Sequence, residues 1–262
     1  MKTTRLLWLA SIMIAAIGFS SCKKDKGSAK LSVYLTDGPA LYDAVNIDVA
    51  SVEIKSSDDQ SDNGWQTLTL AKAGVYNLLD FRNGMDALLG SVELPAGRVS
   101  QMRLKLGTNN SVVVNGTTLQ LPLQTPSAQT SGLKFNIQAD LVEGVTYKVW
   151  IDFDAARSVV KTGNSNYILK PVVRTFTEAT SGAIKGIALP SAAAPIVSAI
   201  MGTDTLGAIP DATTGQYLVR GVAPGSWKVL IGGSNGYNDS TVNNVNVVLG
   251  QVTDAGTVTL KQ

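Results

Sequence analysis

The chain has 262 residues, of which 16% are charged and 44% hydrophobic, a balance typical of globular rather than disordered proteins. Histidine is absent, which excludes Ser-His-Asp and Cys-His catalytic arrangements and histidine-ligated metal sites. The single cysteine, Cys22, excludes an intrachain disulfide and any multi-cysteine metal centre.

The net charge of +2 comes from the N-terminal segment. Lys2 and Arg5 are its basic residues, and the 240 residues after Cys22 contain 20 basic and 20 acidic side chains. A neutral body gains little from counterion release, so we expect no nucleic-acid partner.

The first segment, residues 1–22, has the layout of a bacterial lipoprotein signal. Lys2 and Arg5 precede the apolar run 6–19, which at 14 residues is too short for a permanent membrane span, and small residues then lead directly to Cys22. This resembles the lipobox, in which the cysteine thiol is acylated and becomes the first residue after cleavage. We therefore expect Cys22 to be a membrane anchor and residues 23–29 a polar tether.

From residue 31 onward, hydrophobic residues alternate with polar ones, as in strands of half-buried sheets. A change of parity between Val49 and Val52 predicts a β-bulge. Asn115-Gly116 predicts a tight hairpin between two short strands. Residues 81–89 are the one helical candidate, expected to form one or two turns.

An acidic run, residues 58–64, imitates the start of a calcium-binding EF-hand loop. Counting from Asp59, Gly64 stands in sixth place, but Leu70 stands in the twelfth, where a bidentate Glu is required. We interpret the run as a solvated hairpin tip and expect neither a metal site nor a cofactor.

Composition changes near residues 180–182. Residues 30–178 contain 13 basic and 15 acidic side chains, whereas residues 183–262 contain four of each. The sequence therefore predicts an all-β protein with two β-sandwich domains, at residues 30–178 and 182–262.

Two family resemblances agree with this division. Residues 31–52, the turn 94–97, residues 131–134 and the stretches 152–155 and 167–171 resemble the lipoprotein family called domain of unknown function 4382. That resemblance implies a β-sandwich on a secreted or anchored protein and no known activity.

The second half carries Asp211-Ala212-Thr213-Thr214-Gly215-Gln216-Tyr217, then G-x-x-P-G-x-W-x-V at residues 221–229, then Gly236-Tyr237. It resembles the carboxypeptidase regulatory-like domain, a seven-strand transthyretin-like sandwich placed with carbohydrate-binding-like folds. The resemblance brings no ligand residue with it.

Asp152 and Asp154 are the sharpest polar pair, because residues i and i+2 of a strand share a face with Cα atoms roughly 6–7 Å apart. A carboxylate pair of this kind could serve in glycoside hydrolysis or bind calcium. The alternative is that Val149, Ile151 and Phe153 form the buried face and the aspartates cap a loop or pair with cations.

Trp150 has the same parity as the two aspartates. A face carrying Trp150, Asp152 and Asp154 would suit a sugar ring, although most aromatic residues, Trp65, Tyr34, Tyr42 and Tyr237 among them, are expected in the cores. Asp37, Asp43 and Asp48 could join the pair in space.

These observations favour a non-enzymatic, lipid-anchored protein of the bacterial cell envelope, expected at the outer membrane with its facing side left open. Its role would be binding, adhesion or scaffolding, with a glycan or an envelope protein as partner. The alternative is a carboxylate- or metal-dependent hydrolase that uses Asp152 and Asp154.

Overall fold

The computed structural model describes residues 27–56, 64–163 and 166–262, with the side chains of residues 56 and 138 excepted. The fold is all-β, and the described residues form two β-sandwiches. No helix within those ranges is both long and apolar enough to cross a bilayer.

Two sheets make up the N-terminal sandwich (residues 28–177). The first has the order β14-β11-β1-β6-β4, and the second has the order β10-β7-β2-β8-β9 with β3 and β5 also paired to β2. A separate pair, β12-β13, lies beside them. The strands are β1 Ser28–Asp37, β2 Ala44–Ser56, β3 Trp65–Thr67, β4 Thr69–Leu70, β5 Gly74–Asn77, β6 Ala87–Pro95, β7 Gly97–Leu106, β8 Ser111–Val114, β9 Thr117–Gln120, β10 Leu133–Leu141, β11 Thr146–Phe153, β12 Val159–Lys161, β13 Tyr167–Leu169 and β14 Val173–Thr177.

Seven strands make up the C-terminal sandwich (residues 182–260), three in the sheet β18-β15-β21 and four in the sheet β17-β16-β19-β20. They are β15 Gly182–Leu189, β16 Ile196–Met201, β17 Asp204–Ala208, β18 Gln216–Val222, β19 Gly225–Gly232, β20 Ser240–Val247 and β21 Val252–Thr259. Buried hydrophobic residues separate into one cluster inside each sandwich.

The helical content is small. Two single-turn α-helices, α1 Ser127–Thr130 and α2 Ala155–Ser158, and two 3-10 turns at Leu78–Phe81 and Ser191–Ala193 interrupt the strands. The expectation of a helix over residues 81–89 is wrong, because the 3-10 turn ends at Phe81 and β6 begins at Ala87. Asn83 and Gly84 both have positive φ, which ends any helical turn.

Several local predictions are confirmed. The register of β2 against β7 shifts between Val49 and Ser51, which is the bulge that the parity change predicted. Asn115 and Gly116 connect β8 to β9 with φ of 50° and 73°, as a type I′ turn requires.

The polar tether expected over residues 23–29 ends earlier than predicted. Ser28 and Ala29 already pair with β6, and Ala29 is buried in the N-terminal core. Ser28 is exposed, so of these two residues only Ala29 adds to the core.

Candidate functional site

Trp150 lies in the middle of a three-strand aromatic row. Its ring stacks on Tyr34 of β1, with centroids 5.4 Å apart, and on Phe176 of β14, at 5.5 Å. The indole Nε1 donates a hydrogen bond to Asp86 Oδ2 at 2.9 Å, and only 5% of the residue is exposed. The Trp150 side chain is therefore buried, with both ring faces covered, and presents no open face to a sugar ring.

Asp152, two residues further along β11, is paired with Arg174 of β14. Arg174 Nε and Nη2 lie 2.7 and 2.6 Å from Asp152 Oδ2. Burial raises the pKa of Asp152 above its usual value, and the Arg174 guanidinium offsets part of that rise. This carboxylate is therefore held by a cation of its own sandwich.

Arg174 also reaches the C-terminal sandwich. Its Nη1 donates to the Gly221 carbonyl at 2.8 Å and its Nη2 to the Arg220 carbonyl at 3.1 Å. The remaining guanidinium donors thus satisfy backbone acceptors at the end of β18. Through Arg174, the Asp152–Arg174 ion pair therefore links the two sandwiches.

Asp154 has a different, local role. Its side chain accepts a hydrogen bond from the Arg157 backbone N–H at 2.9 Å and so caps α2. An exposed ion pair to the Arg157 side chain, at 3.6 Å, adds little. Asp152 and Asp154 therefore each have their own partner, and no described hydrogen bond or ion pair joins them through a shared group.

Asp37, at the end of β1, lies close to this pair and is buried. Its Oδ1 accepts from the Ala155 N–H at 2.9 Å, whereas its buried Oδ2 has no hydrogen-bond partner. Burial raises the pKa of Asp37 well above its usual value, and the nearby charges of Asp152 and Asp154 raise it further.

From the sequence, Asp37, Asp43 and Asp48 could each lie near Asp152 and Asp154. Of these three, the structure places only Asp37 beside them. The Asp43 side chain accepts from the Gly116 N–H, beside the β8–β9 hairpin. Asp48, on the central strand β2 of the second sheet, accepts from the Asn109 N–H.

A cavity of about 150 Å³ separates the two sandwiches beside Asp37, Asp152 and Asp154. Leu218 and Thr205 of the C-terminal sandwich form part of its wall. Within the described ranges, no three acidic or sulfur-bearing side chains are arranged to hold a metal ion.

Sequence reasoning missed the loop between the 3-10 turn and β6. The Asn83 side chain imitates a strand partner for β18: its Oδ1 accepts from the Leu218 N–H at 2.6 Å, and its Nδ2 donates to the Gln216 carbonyl at 3.1 Å. Asp86 completes the contact with an ion pair to Arg220 at 2.7 Å. The Asn-Gly step was a signal for a turn, but nothing in the sequence indicated its partner.

The two sandwiches also pack closely at Gly221 of β18, which has no side chain to form a hydrogen bond. Gly221 has a φ of 66°, and a Cβ on it would lie 2.5 Å from the Phe176 ring. Only glycine combines this backbone angle with this approach, so the Phe176 ring packs directly against the β18 backbone.

The other predicted aromatic residues lie at several places. Trp65 packs under Arg103, whose Cζ is 4.2 Å from the ring centroid, and Tyr42 meets Tyr167 edge to face. Tyr237 packs partly buried against the C-terminal core. Cys22 and residues 58–63 of the acidic run lie outside the described residues.

The site is thus a polar and aromatic joint between two β-sandwiches. The model of the family described as Domain of unknown function (DUF4382) matches residues 28–171, more than half of the chain, and the chain belongs to this family. The match covers the N-terminal sandwich up to the end of β13. No curated protein is detectably similar in sequence.

Several solved structures of bacterial proteins are distantly similar to this chain. The minor pilin GBS52 of Streptococcus agalactiae is 10% identical over 88% of this chain and 95% of the pilin, with a TM-score of 0.23. A candidate cell adhesion protein of Bacteroides fragilis is 12% identical over 90% and 93% of the two chains, with a TM-score of 0.24.

The Bacillus anthracis TIE protein is 9% identical, with a TM-score of 0.24. The match covers 90% of this chain but 35% of that protein, so the chain spans about a third of its length. With scores this low, nothing about function follows from these likenesses.

Proposed function

We propose that this protein is a lipid-anchored, non-enzymatic scaffold or adhesion protein of the bacterial cell envelope, whose two sandwiches act as one unit. The anchor is Cys22, acylated after removal of residues 1–21. The C-terminal sandwich is a carboxypeptidase regulatory-like module that extends the family domain.

The observation that carries this proposal is that Trp150 and Asp152, the two side chains of β11 most suited to a binding or catalytic site, instead help to join the sandwiches. Trp150 has both ring faces covered, and Asp152 is paired with the arginine that also binds the Gly221 carbonyl. A hydrolase would need a free carboxylate beside an open cleft, and a sugar platform would need an exposed ring face. Neither requirement is met on this strand, which favours a structural role.

The amino-acid pattern before the first strand supports the anchor. The basic residues Lys2 and Arg5, the apolar run 6–19 and the small residues before Cys22 follow the order of a lipoprotein signal. The body after Cys22 is electrically neutral and has no strong attraction of its own for anionic lipid. Stable residence at a membrane would thus depend on the acyl chains.

Expression of the full-length chain in a diderm bacterium with an alkyne fatty acid tests the anchor. We expect the label on the wild-type protein and none on Cys22→Ala, while Ser21→Ala, which keeps a small residue before the cysteine, retains it. Intact mass then shows whether the chain begins at Cys22. Equal labelling of wild type and Cys22→Ala would contradict the proposal.

A further inference from the structure

Two exposed apolar loops lie at the end of the molecule where the described chain begins. The first is the β10–β11 loop, in which Val142 is 58% exposed and Val145 is 43% exposed. It is fastened to the start of β1, because the Gly144 N–H donates to the Ser28 carbonyl at 2.9 Å and the Lys30 N–H donates to the Val145 carbonyl at 3.1 Å.

The second is the β20–β21 loop, where Val248 and Leu249 are 58% and 48% exposed, together with Val252 at the start of β21, which is 56% exposed. Its Gly250 N–H donates to the Ser181 carbonyl at 3.0 Å. Ser181 belongs to the short connection between the two sandwiches, so this loop is placed by the connection itself.

Strand directions place both loops at the same end. β1 and β11 are parallel and start there, and β14 runs antiparallel to β11 and ends there at Thr177. The Ser181 hydroxyl donates to the Thr177 carbonyl at 2.7 Å, which brings the second loop to the end of β14. The sandwiches therefore stand side by side, with the two loops at one common edge.

We propose that this apolar edge, formed by Val142, Val145, Val248, Leu249 and Val252, rests on the lipid bilayer that holds the anchor. The inference depends on the proposed acylation of Cys22. Five residues separate Cys22 from Ser28, and an extended chain between the two spans at most about 22 Å. So short a connection keeps the beginning of β1, and with it the β10–β11 loop, next to the membrane surface.

The composition of the edge suits a shallow contact with lipid. Branched aliphatic side chains bury their area among acyl chains near the headgroups, and they do so without leaving a charge in hydrocarbon. The exposed charged residues beside the first loop include Lys30, Asp140, Glu143 and Lys148, and these four charges cancel. The contact would orient the anchored protein rather than bind it.

A fluorescent probe at single introduced cysteines tests this orientation in the full-length, acylated protein. Because Cys22 is the chain's one cysteine and its thiol is acylated, a thiol-reactive NBD probe labels only the new site. The sites are Val142→Cys and Leu249→Cys on the edge. The matched control is Leu41→Cys, which is 79% exposed and follows the opposite end of β1, roughly 30 Å away.

The labelled proteins are reconstituted in phosphatidylethanolamine–phosphatidylglycerol vesicles that contain doxyl-labelled phosphatidylcholine. We expect a blue-shifted emission that the doxyl lipid quenches at positions 142 and 249, and an unshifted, unquenched emission at position 41. Unfolding curves confirm that each variant is folded.

The outcomes separate the two proposals. A chain whose intact mass lacks acyl groups refutes the anchor. An acylated chain whose probes at 142 and 249 behave like the probe at 41 overturns the membrane contact and leaves the anchor in place. A blue shift without quenching also overturns it, because the edge would then be covered by protein, such as a second copy of the chain.

Discussion

The two sandwiches bury different kinds of side chain. Among the described residues, the N-terminal core contains twelve buried leucines, spread over both sheets and the loops between them. In the C-terminal core Leu260 is the one buried leucine, and Trp227 and Tyr217 are the two largest side chains, set among valines, isoleucines and alanines. Large and small residues alternate there, as at Gly186, where a Cβ would lie 2.6 Å from the Tyr217 ring.

Because of this difference, we expect the two sandwiches to respond differently when a core side chain is truncated. Many aliphatic contacts share the burial in the N-terminal core, so one truncation removes a small fraction of it. The C-terminal core is smaller and concentrates a larger share of its burial in Trp227 and Tyr217. We therefore expect the second sandwich to be the more fragile one, and stabilised in part by its contact with the first.

The largest effect is expected for Trp227→Ala. The ring is fully buried and its Nε1 donates to the Ala223 carbonyl at 2.8 Å, so truncation should cost about 4 kcal/mol and unfold the C-terminal sandwich first. The comparison is Leu104→Ala in the N-terminal core, expected to cost about 3 kcal/mol without a separate transition. Calorimetry distinguishes them, and a single shared transition in Trp227→Ala would contradict the asymmetry.

Next in size is Arg174→Ala, which removes the guanidinium that links the two sandwiches. Asp152, whose side chain is 13% exposed, loses its cation, and two carbonyls of β18 lose their donor, at a cost of about 2 kcal/mol. We expect one thermal transition to split into two.

Arg157→Ala serves as the matched control for that change. Its side chain is 69% exposed and pairs with Asp154 at the surface, so the cost should stay below about 1 kcal/mol. If the two arginine variants unfolded alike, the joint would contribute nothing to the coupling of the sandwiches.

A smaller, pH-dependent effect is expected at Asp37. Burial raises its pKa in the folded state, so the folded protein binds this proton more tightly than the unfolded chain does. The stability associated with that proton is complete below the unfolded pKa of 3.8 and is lost as the pH rises through the folded pKa.

Asp37→Asn keeps an acceptor for the Ala155 N–H and cannot ionise. Its stability relative to wild type should therefore increase as the pH is raised from about 3 to about 8 in urea unfolding series. Asp43→Asn, at an exposed position on the other sheet, is the control. Parallel stability curves for wild type and Asp37→Asn would show that the buried carboxyl has an ordinary affinity for its proton.

The smallest effect is expected for Tyr217→Phe. The Tyr217 hydroxyl is buried without a hydrogen-bond partner, and burial together with the charge of Asp254 raises its pKa to about 12. Removing an unsatisfied hydroxyl should leave the stability unchanged or raise it by about 1 kcal/mol. A loss of more than that, measured by urea unfolding, would mean that the hydroxyl has a partner in solution.

The prediction for β11 shows where strand parity stops being informative. Alternation correctly placed Val149, Ile151 and Phe153 in the core, and they are fully buried. The same alternation left Trp150 and Asp152 on the outer face, which in an isolated sandwich would meet solvent. In this protein the C-terminal sandwich covers that face, and parity alone carries no information about a second layer.

By itself, the sequence determined the all-β class, the bulge in β2 and the Asn115-Gly116 hairpin, because alternation and positive-φ turn residues act over a few neighbouring positions. The tertiary structure alone decided that Asn83, Asp86 and Arg174 hold β18, and that Asp37 is buried beside Asp152. Those contacts join residues up to 135 positions apart. Their energies depend on burial and on the distance between charges, which exist only once the two sandwiches have packed together.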